Sequence, residues 1–223
     1  MKQIAFFGSI GVGKTTLGKK LKENYNNVDF LEEDLNENPF LSAFYKDMKK
    51  WGFHSSIAML TLMSSYYKKI DSSKDIVILD NGVEELIAYT MLEYDMGILT
   101  DEEYIIYRKL YDNIISLLPK IDLYVYFKCD VLEALKRISL RNRDFESDIN
   151  QSFLNDLNAK YEIFVESLPK DKIIILDTTN GYDINTIVKL LENNNNCYTC
   201  FNLYQNLIYN FSIGIQQFIS STY

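Results

Sequence analysis

Gly8-Ser9-Ile10-Gly11-Val12-Gly13-Lys14-Thr15 satisfies the pattern G-x-x-x-x-G-K-[ST], and its flanks decide what that means. Ahead of it, Lys2-Gln3-Ile4-Ala5-Phe6-Phe7 is a short apolar run that predicts a buried strand. Behind it, Thr16-Leu17-Gly18-Lys19-Lys20-Leu21-Lys22 spaces Leu17 and Leu21 four apart, as the inner face of a helix requires. A loop between such a strand and such a helix turns successive backbone N–H groups toward one point, and the helix N-terminus adds partial positive charge there. Lys14 can then reach outer phosphates, and the Thr15 hydroxyl can join a magnesium shell, with the backbone from Gly8 to Thr16 as the cradle. A chance match in a structural turn would not need strand, loop and helix in register. These residues imply a site for a nucleoside triphosphate.

The chain has 223 residues, which suits one α/β domain, with 47% hydrophobic and 24% charged residues. Its net charge of −8 argues against a broad nucleic-acid or anionic-membrane surface, so neither partner is expected and any phosphate must be held locally. Cys129, Cys197 and Cys200 are too few and too unevenly placed for a disulfide framework. The lone C-x-x-C at Cys197–Cys200 lacks a second ligand pair for zinc. No signal or transit pattern precedes the first strand, and a cytoplasmic location is expected.

Five strands are predicted, at 2–7, 27–31, 75–80, 121–128 and 171–177, separated by helices at about 14–25, 50–70, 83–96, 101–118, 130–142, 150–167 and 183–192. Asp75-Ile76-Val77-Ile78-Leu79-Asp80 and Lys172-Ile173-Ile174-Ile175-Leu176 are continuous apolar runs rather than alternating ones, as in central parallel strands covered on both faces. The expected fold is therefore α/β, a five-stranded parallel sheet with helices on both faces and ligands at the carboxyl ends of its strands. Residues 104–118 are apolar around most of a helical circumference, which suits core or an oligomer contact. The surplus on the 50–70 helix favours the contact, hence a homodimer or a heterodimer with a related subunit. From Asn193 onward no residue is charged, so residues 1–192 form the expected catalytic domain and 193–223 an uncharged extension without an assigned role.

The segment after the second strand speaks to the acceptor: Phe30-Leu31-Glu32-Glu33-Asp34-Leu35-Asn36-Glu37-Asn38-Pro39-Phe40, then Phe44-Tyr45-Lys46-Asp47, then Lys50-Trp51-Gly52-Phe53. Here the sequence resembles the deoxynucleoside kinases, particularly the bacterial deoxyadenosine/deoxyguanosine type. That family carries F-x-E-P-V-x-E-N-P-[FY], F-Y-x-D and a tryptophan-phenylalanine helix start. The resemblance runs to about residue 192. It implies a P-loop kinase of nucleotide salvage that uses ATP and Mg2+ and phosphorylates the 5′-hydroxyl of a deoxynucleoside, a purine one slightly favoured. Glu33 matches the carboxylate that takes the hydroxyl proton, although four acids lie in this loop and Glu33 alone would look like a solvated one. Tyr45 and Glu146 match the pair that holds the sugar 3′-hydroxyl. Trp51 and Phe53 match the wall around the base, or form a buried aromatic cluster that would be spelled the same way. Lys136-Arg137-Ile138-Ser139-Leu140-Arg141-Asn142-Arg143-Asp144-Phe145-Glu146 resembles the helical lid R-I-x-x-R-x-R-x-x-E. Several guanidiniums in eight residues are the usual means of neutralising a phosphoryl group in flight, so Arg141 and Arg143 are expected over the phosphates with Arg137 beside them. Asp80 would join Thr15 at the metal.

Four positions depart from the family. Its Asp-Arg-Ser or Asp-Arg-Thr becomes Asp80-Asn81-Gly82, which removes the arginine that steadies the catalytic glutamate. Ser56 stands at a base-reading glutamine, Met63 at an arginine on the same helix, and Leu86 at a base-reading aspartate, with Glu85 beside it matching. Two readings stay open: an active kinase with altered base choice, or a weakly active or inactive nucleotide-binding partner subunit. A nucleoside-monophosphate kinase would need a further cation for the acceptor phosphate, and Met63 and Asn81 remove the candidates.

Overall fold

Alternate side chains of β1 (Lys2–Phe7) enter two different cores, which places this strand inside a sheet covered on both sides. A computed structural model describes residues 1–143, 146 and 149–192; the expected extension and its two cysteines lie outside the described residues. With β2 (Val28–Leu31), β3 (Ile76–Asp80), β4 (Leu123–Lys128) and β5 (Ile173–Asp177), β1 forms a five-stranded parallel sheet in the order β2-β3-β1-β4-β5. Ile4 and Phe6 join Ile78, Val125 and Phe127 under α1 (Lys14–Asn24) and α8 (Ile184–Glu192), through Leu17, Leu21, Ile187 and Leu191. Ala5 and Phe7 join Leu79, Tyr124 and Tyr126 on the other face. There they meet α3 (Met48–Tyr66), α4 (Leu86–Asp95), α5 (Asp101–Leu117) and α7 (Gln151–Ser167). Phe7 stacks on Tyr126 with centroids 5.1 Å apart, so the residue before the glycine loop is locked into the larger core.

The expected elements are present, with shifts that local chemistry explains. The Asp47 side chain accepts the Lys50 N–H and starts α3 at Met48, earlier than the apolar pattern suggests. Thr100 and Glu103 form a reciprocal capping box that fixes the start of α5. The predicted 83–96 helix begins instead with a 3₁₀ turn over Val83–Glu85. A six-residue helix, α2 (Leu41–Lys46), was not predicted, because one and a half turns leave no periodicity to read. On α5 only Tyr107 and Tyr111 are buried, while Ile105, Ile106, Leu110 and Leu117 are exposed. An amphipathic helix α6 (Val131–Arg141), capped by Asp130, packs Ala134 and Ile138 against Leu154 of α7. None of the described helices is long and apolar enough to cross a membrane.

Candidate active site

At the carboxyl end of β1 the chain must turn sharply, and the glycines make that possible. Gly8 has φ +137°, and a Cβ there would lie 2.4 Å from the Phe127 carbonyl oxygen. Gly13, at φ +98°, leads directly into α1. The Lys14 ammonium is buried and donates to the Gly8 and Ser9 carbonyls at 2.6 and 3.0 Å, which centres it in the loop. The Thr178 hydroxyl, fully buried after β5, donates to the Val12 carbonyl at 2.8 Å. Nothing in the sequence pattern singles out Thr178; a threonine one residue beyond a strand is the only signal.

The ends of β2 and β3 bring the acids to this loop. Asp80 closes β3, and the Thr15 hydroxyl donates to its Oδ2 at 2.6 Å. Asp80 Oδ1 is buried with no hydrogen-bond partner among the described residues. A carboxylate with spare lone pairs beside a hydroxyl suits a hard divalent cation held mainly by phosphate and water. No cluster of three or more His, Cys, Asp or Glu among the described residues could chelate a metal by itself. Glu33, two residues past β2, accepts the Asn81 side-chain N–H at 2.5 Å. Asn81 holds φ +62°, a left-handed conformation that asparagine tolerates better than larger side chains. The position that loses the family arginine therefore keeps a donor to the glutamate while losing the charge. Burial, helped by the nearby Asp80 charge, pushes the Glu33 carboxyl up to about 7; Asn81, Lys14 and Arg143 work the other way.

One cavity of about 580 Å³ is lined by Lys14, Thr15, Glu33 and Asn81, while Asp80 lies behind its wall, reached through the Thr15 hydroxyl. Its wall includes Gly11 to Thr16, Glu33, Tyr45, Arg141, Arg143 and Glu146. Arg141 grips Glu146 through two parallel bonds, Nη2 to Oε1 at 2.6 Å and Nε to Oε2 at 3.0 Å, and Arg143 reaches the same carboxylate at 3.5 Å. Tyr45 lines the same cavity, and desolvation together with the charges of Glu146, Glu93 and Glu33 raises its pKa.

Some expected site residues are elsewhere. Trp51 and Phe53 do not line the cavity: Trp51 stacks on Phe40 at 5.7 Å, and Phe53 packs against the larger core. Both side chains are half-buried, and Trp51 packs ring against ring with Phe40 and His54. Arg137 is turned away from Arg141 and Arg143, because Glu133 one helical turn earlier and the Thr178 and Thr179 carbonyls hold its guanidinium. Gly8 and Ser9 lie behind the cavity surface, and Met63 is buried beside Leu31 and Tyr66 outside it. Two further acids stand here: Glu85, matched by the resemblance without a role, and Glu93, which the sequence reading missed. Glu85 is fully buried, with Oε2 3.3 Å from the Tyr161 hydroxyl and 3.4 Å from Gly8 N. Glu93 of α4 accepts the Ser56 hydroxyl at 2.5 Å. A glutamate three residues after Thr90, following the mainly apolar run Leu86–Leu92, was the available signal for Glu93.

A parallel sheet with a G-x-x-x-x-G-K-[ST] loop at the carboxyl end of its central strand defines a P-loop nucleotide-binding protein. The sequence matches the family model of the deoxynucleoside kinases over residues 4–198, and the chain belongs to that family. It is 32% identical to a deoxyadenosine kinase of Dictyostelium discoideum over 167 residues, 75% of this chain and 68% of that protein. It is 29% identical to a deoxyguanosine kinase of Bacillus subtilis (strain 168), covering 80% and 86% of the two chains. The fold superimposes on a deoxyadenosine kinase from M. mycoides with bound dATP at a TM-score of 0.72 and 27% identity, covering 86% of this chain and 97% of that one. The chain is thus a phosphotransferase of the deoxynucleoside kinase class.

Proposed function

We propose that this chain moves the γ-phosphoryl group of ATP to the 5′-hydroxyl of a deoxynucleoside, with purines favoured. The observation that carries this reading is that Glu33 and the glycine loop open on the same cavity. The names of the Dictyostelium discoideum and Bacillus subtilis relatives support a purine acceptor. In this reading the loop amides and Lys14 hold the triphosphate, and Glu33 takes the hydroxyl proton as the oxygen attacks phosphorus. Thr15 and Asp80 would hold Mg2+, which supplies charge neutralisation at the phosphates. Arg141 and Arg143 neutralise the transferring group, while Tyr45 and Glu146 fix the sugar. Arg137 supports the loop region through Thr178 rather than touching phosphate. We place the enzyme in the cytoplasm as a dimer, with the exposed Ile105, Ile106 and Leu110 face of α5 as its contact.

The deciding experiment incubates the purified chain with labelled ATP and a panel of purine and pyrimidine deoxynucleosides. Labelled 5′-monophosphate is the expected product. ATP binding without transfer to any nucleoside would overturn the reading in favour of an inactive partner subunit.

Asn81→Gly isolates the hydrogen bond to Glu33, since glycine accepts the left-handed backbone without strain. Loss of the donor raises the Glu33 pKa further. The acid limb of the kcat/KM profile is expected to move to higher pH, with about a 10-fold loss at pH 7. An unmoved limb would show that Asn81 does not position Glu33. Asn81→Arg would restore a cation beside Glu33 but meets the left-handed backbone first: a larger side chain there costs about 1 kcal/mol before any charge acts.

A further inference from the structure

The end of the cavity opposite the glycine loop is built by α3, α4 and α5. Ser55, Ser56 and Met59 come from the first, Leu86, Tyr89, Thr90, Leu92 and Glu93 from the second, and Tyr107 from the third. Among these lining residues Glu93 alone carries a charge. The Thr90 hydroxyl donates to the Leu86 carbonyl, and the Ser55 hydroxyl oxygen accepts the Asn38 side-chain N–H. Among the described residues Glu93 receives one side-chain hydrogen bond, from Ser56, and it lines the cavity half-buried. We propose that Glu93, held by Ser56, is the base-reading residue of this chain and selects a deoxynucleoside whose base presents two adjacent N–H donors, the N1–H and N2–H edge of guanine. This deepens the acceptor reading given above and rests on it.

A carboxylate is an acceptor only, and its two oxygens match a pair of parallel N–H groups in the way they match a guanidinium. The Ser56 contact, at 2.5 Å, has the length of a charge-assisted O–H···O⁻ bond and fixes Oε2 without exhausting the acceptor capacity of the group. A desolvated carboxylate short of donors is costly, so the base that supplies two donors is the one bound best. Adenine brings one donor beside one acceptor, and its N1 lone pair would face a carboxylate oxygen. It can pair only with the protonated acid. The position that holds a glutamine in the resembling family thus anchors the reader instead of reading.

Burial holds the Glu93 carboxyl up to about 7, with the Ser56 bond acting against it, so both protonation states are reached near neutrality. The groups that face it are the Ser56 hydroxyl from α3, the Tyr107 phenol from α5 and the Tyr45 phenol from α2; both phenols have raised pKa values and stay neutral through this range. Guanine should therefore gain on adenine as pH rises through 7.

The test is competition between deoxyguanosine and deoxyadenosine in one reaction, from pH 6 to 8, with wild type, Glu93→Gln and Ser56→Ala. Competition cancels the titration of Glu33, which both substrates share. In the wild type the ratio of kcat/KM values, deoxyguanosine over deoxyadenosine, is expected to rise at least about 10-fold across the range. In Glu93→Gln it should be flat with pH and at least about 10-fold lower at pH 8. Ser56→Ala should move the midpoint of the rise to higher pH. A wild-type ratio that does not change with pH, a Glu93→Gln ratio equal to wild type, or an unmoved midpoint in Ser56→Ala overturns the assignment. Wild type that phosphorylates neither nucleoside, nor any other in the panel, overturns the acceptor reading itself.

Discussion

Lys14→Ala is expected to lower kcat/KM by at least about 10³-fold while leaving the chain folded. The size of the effect follows from two roles that one ammonium fills. Bound to the Gly8 and Ser9 carbonyls, it stands where the loop amides converge, so it meets the terminal phosphates with no reorganisation of the surrounding backbone. It is also the cation that lowers the pKa of Glu33, Asp80 and Glu85 at once. Alanine would leave three buried carboxyl groups with less compensation, and each would hold its proton to higher pH. The donor site then loses a phosphate contact and the acceptor site loses part of its ionised base. Lys14→Arg should not rescue the loss, because a planar guanidinium does not fit a site shaped around a point charge. Steady-state rates at pH 8 with ATP and the preferred nucleoside check this, with circular dichroism as the control for folding. Activity within 10-fold of wild type would remove Lys14 from the donor site.

The donor half was legible because its constraints are local. Eight consecutive residues between a strand and a helix specify backbone angles that glycine alone meets easily, and Gly8, Gly11 and Gly13 all have positive φ. The five strands were legible for a related reason: runs such as Ile76–Asp80 are buried on both faces and carry no competing pattern. The acceptor half depends on contacts between residues far apart in sequence. Asn81 meets Glu33 across 48 positions, and Ser56 meets Glu93 across 37. Composition and periodicity say nothing about such pairs. Resemblance located Ser56 as a loss without showing that α4 brings a carboxylate to it. Arg137 illustrates the opposite error. Three arginines in the sequence look equivalent, but Glu133 lies one turn before Arg137 on the same face of α6 and holds it, whereas Arg141 and Arg143 lie past or near the helix end and converge on Glu146.

Glu33→Gln is expected to lower kcat by about 10²- to 10⁴-fold with little change in ATP affinity, since the amide keeps the shape of the group and loses its basicity. The carboxyl titrates at about 7, and only its ionised form accepts a proton, so wild-type kcat/KM should rise through that pH while the variant stays low and flat. The same perturbation has a consequence for stability that separates a placed base from a surface acid. The ordinary value is 4.5, so between 4.5 and 7 the folded protein binds a proton that the unfolded chain has released. Stability contributed by this group therefore falls as pH rises through the window; the full penalty is present above 7 and absent below 4.5. Glutamine carries no such penalty. Glu33→Gln should be more stable than wild type at pH 8, by at most about 3 kcal/mol because the cavity admits water, and equal to it near pH 4.5. Thermal denaturation at the two pH values reads this independently of catalysis. A variant that is slow but no more stable at pH 8 would mean that Glu33 is solvated in the folded protein, and its pKa would then have to be sought near the ordinary value. An unchanged kcat would take Glu33 out of the proton transfer, leaving Asp80 and Glu85 as the acids close enough to the loop to replace it.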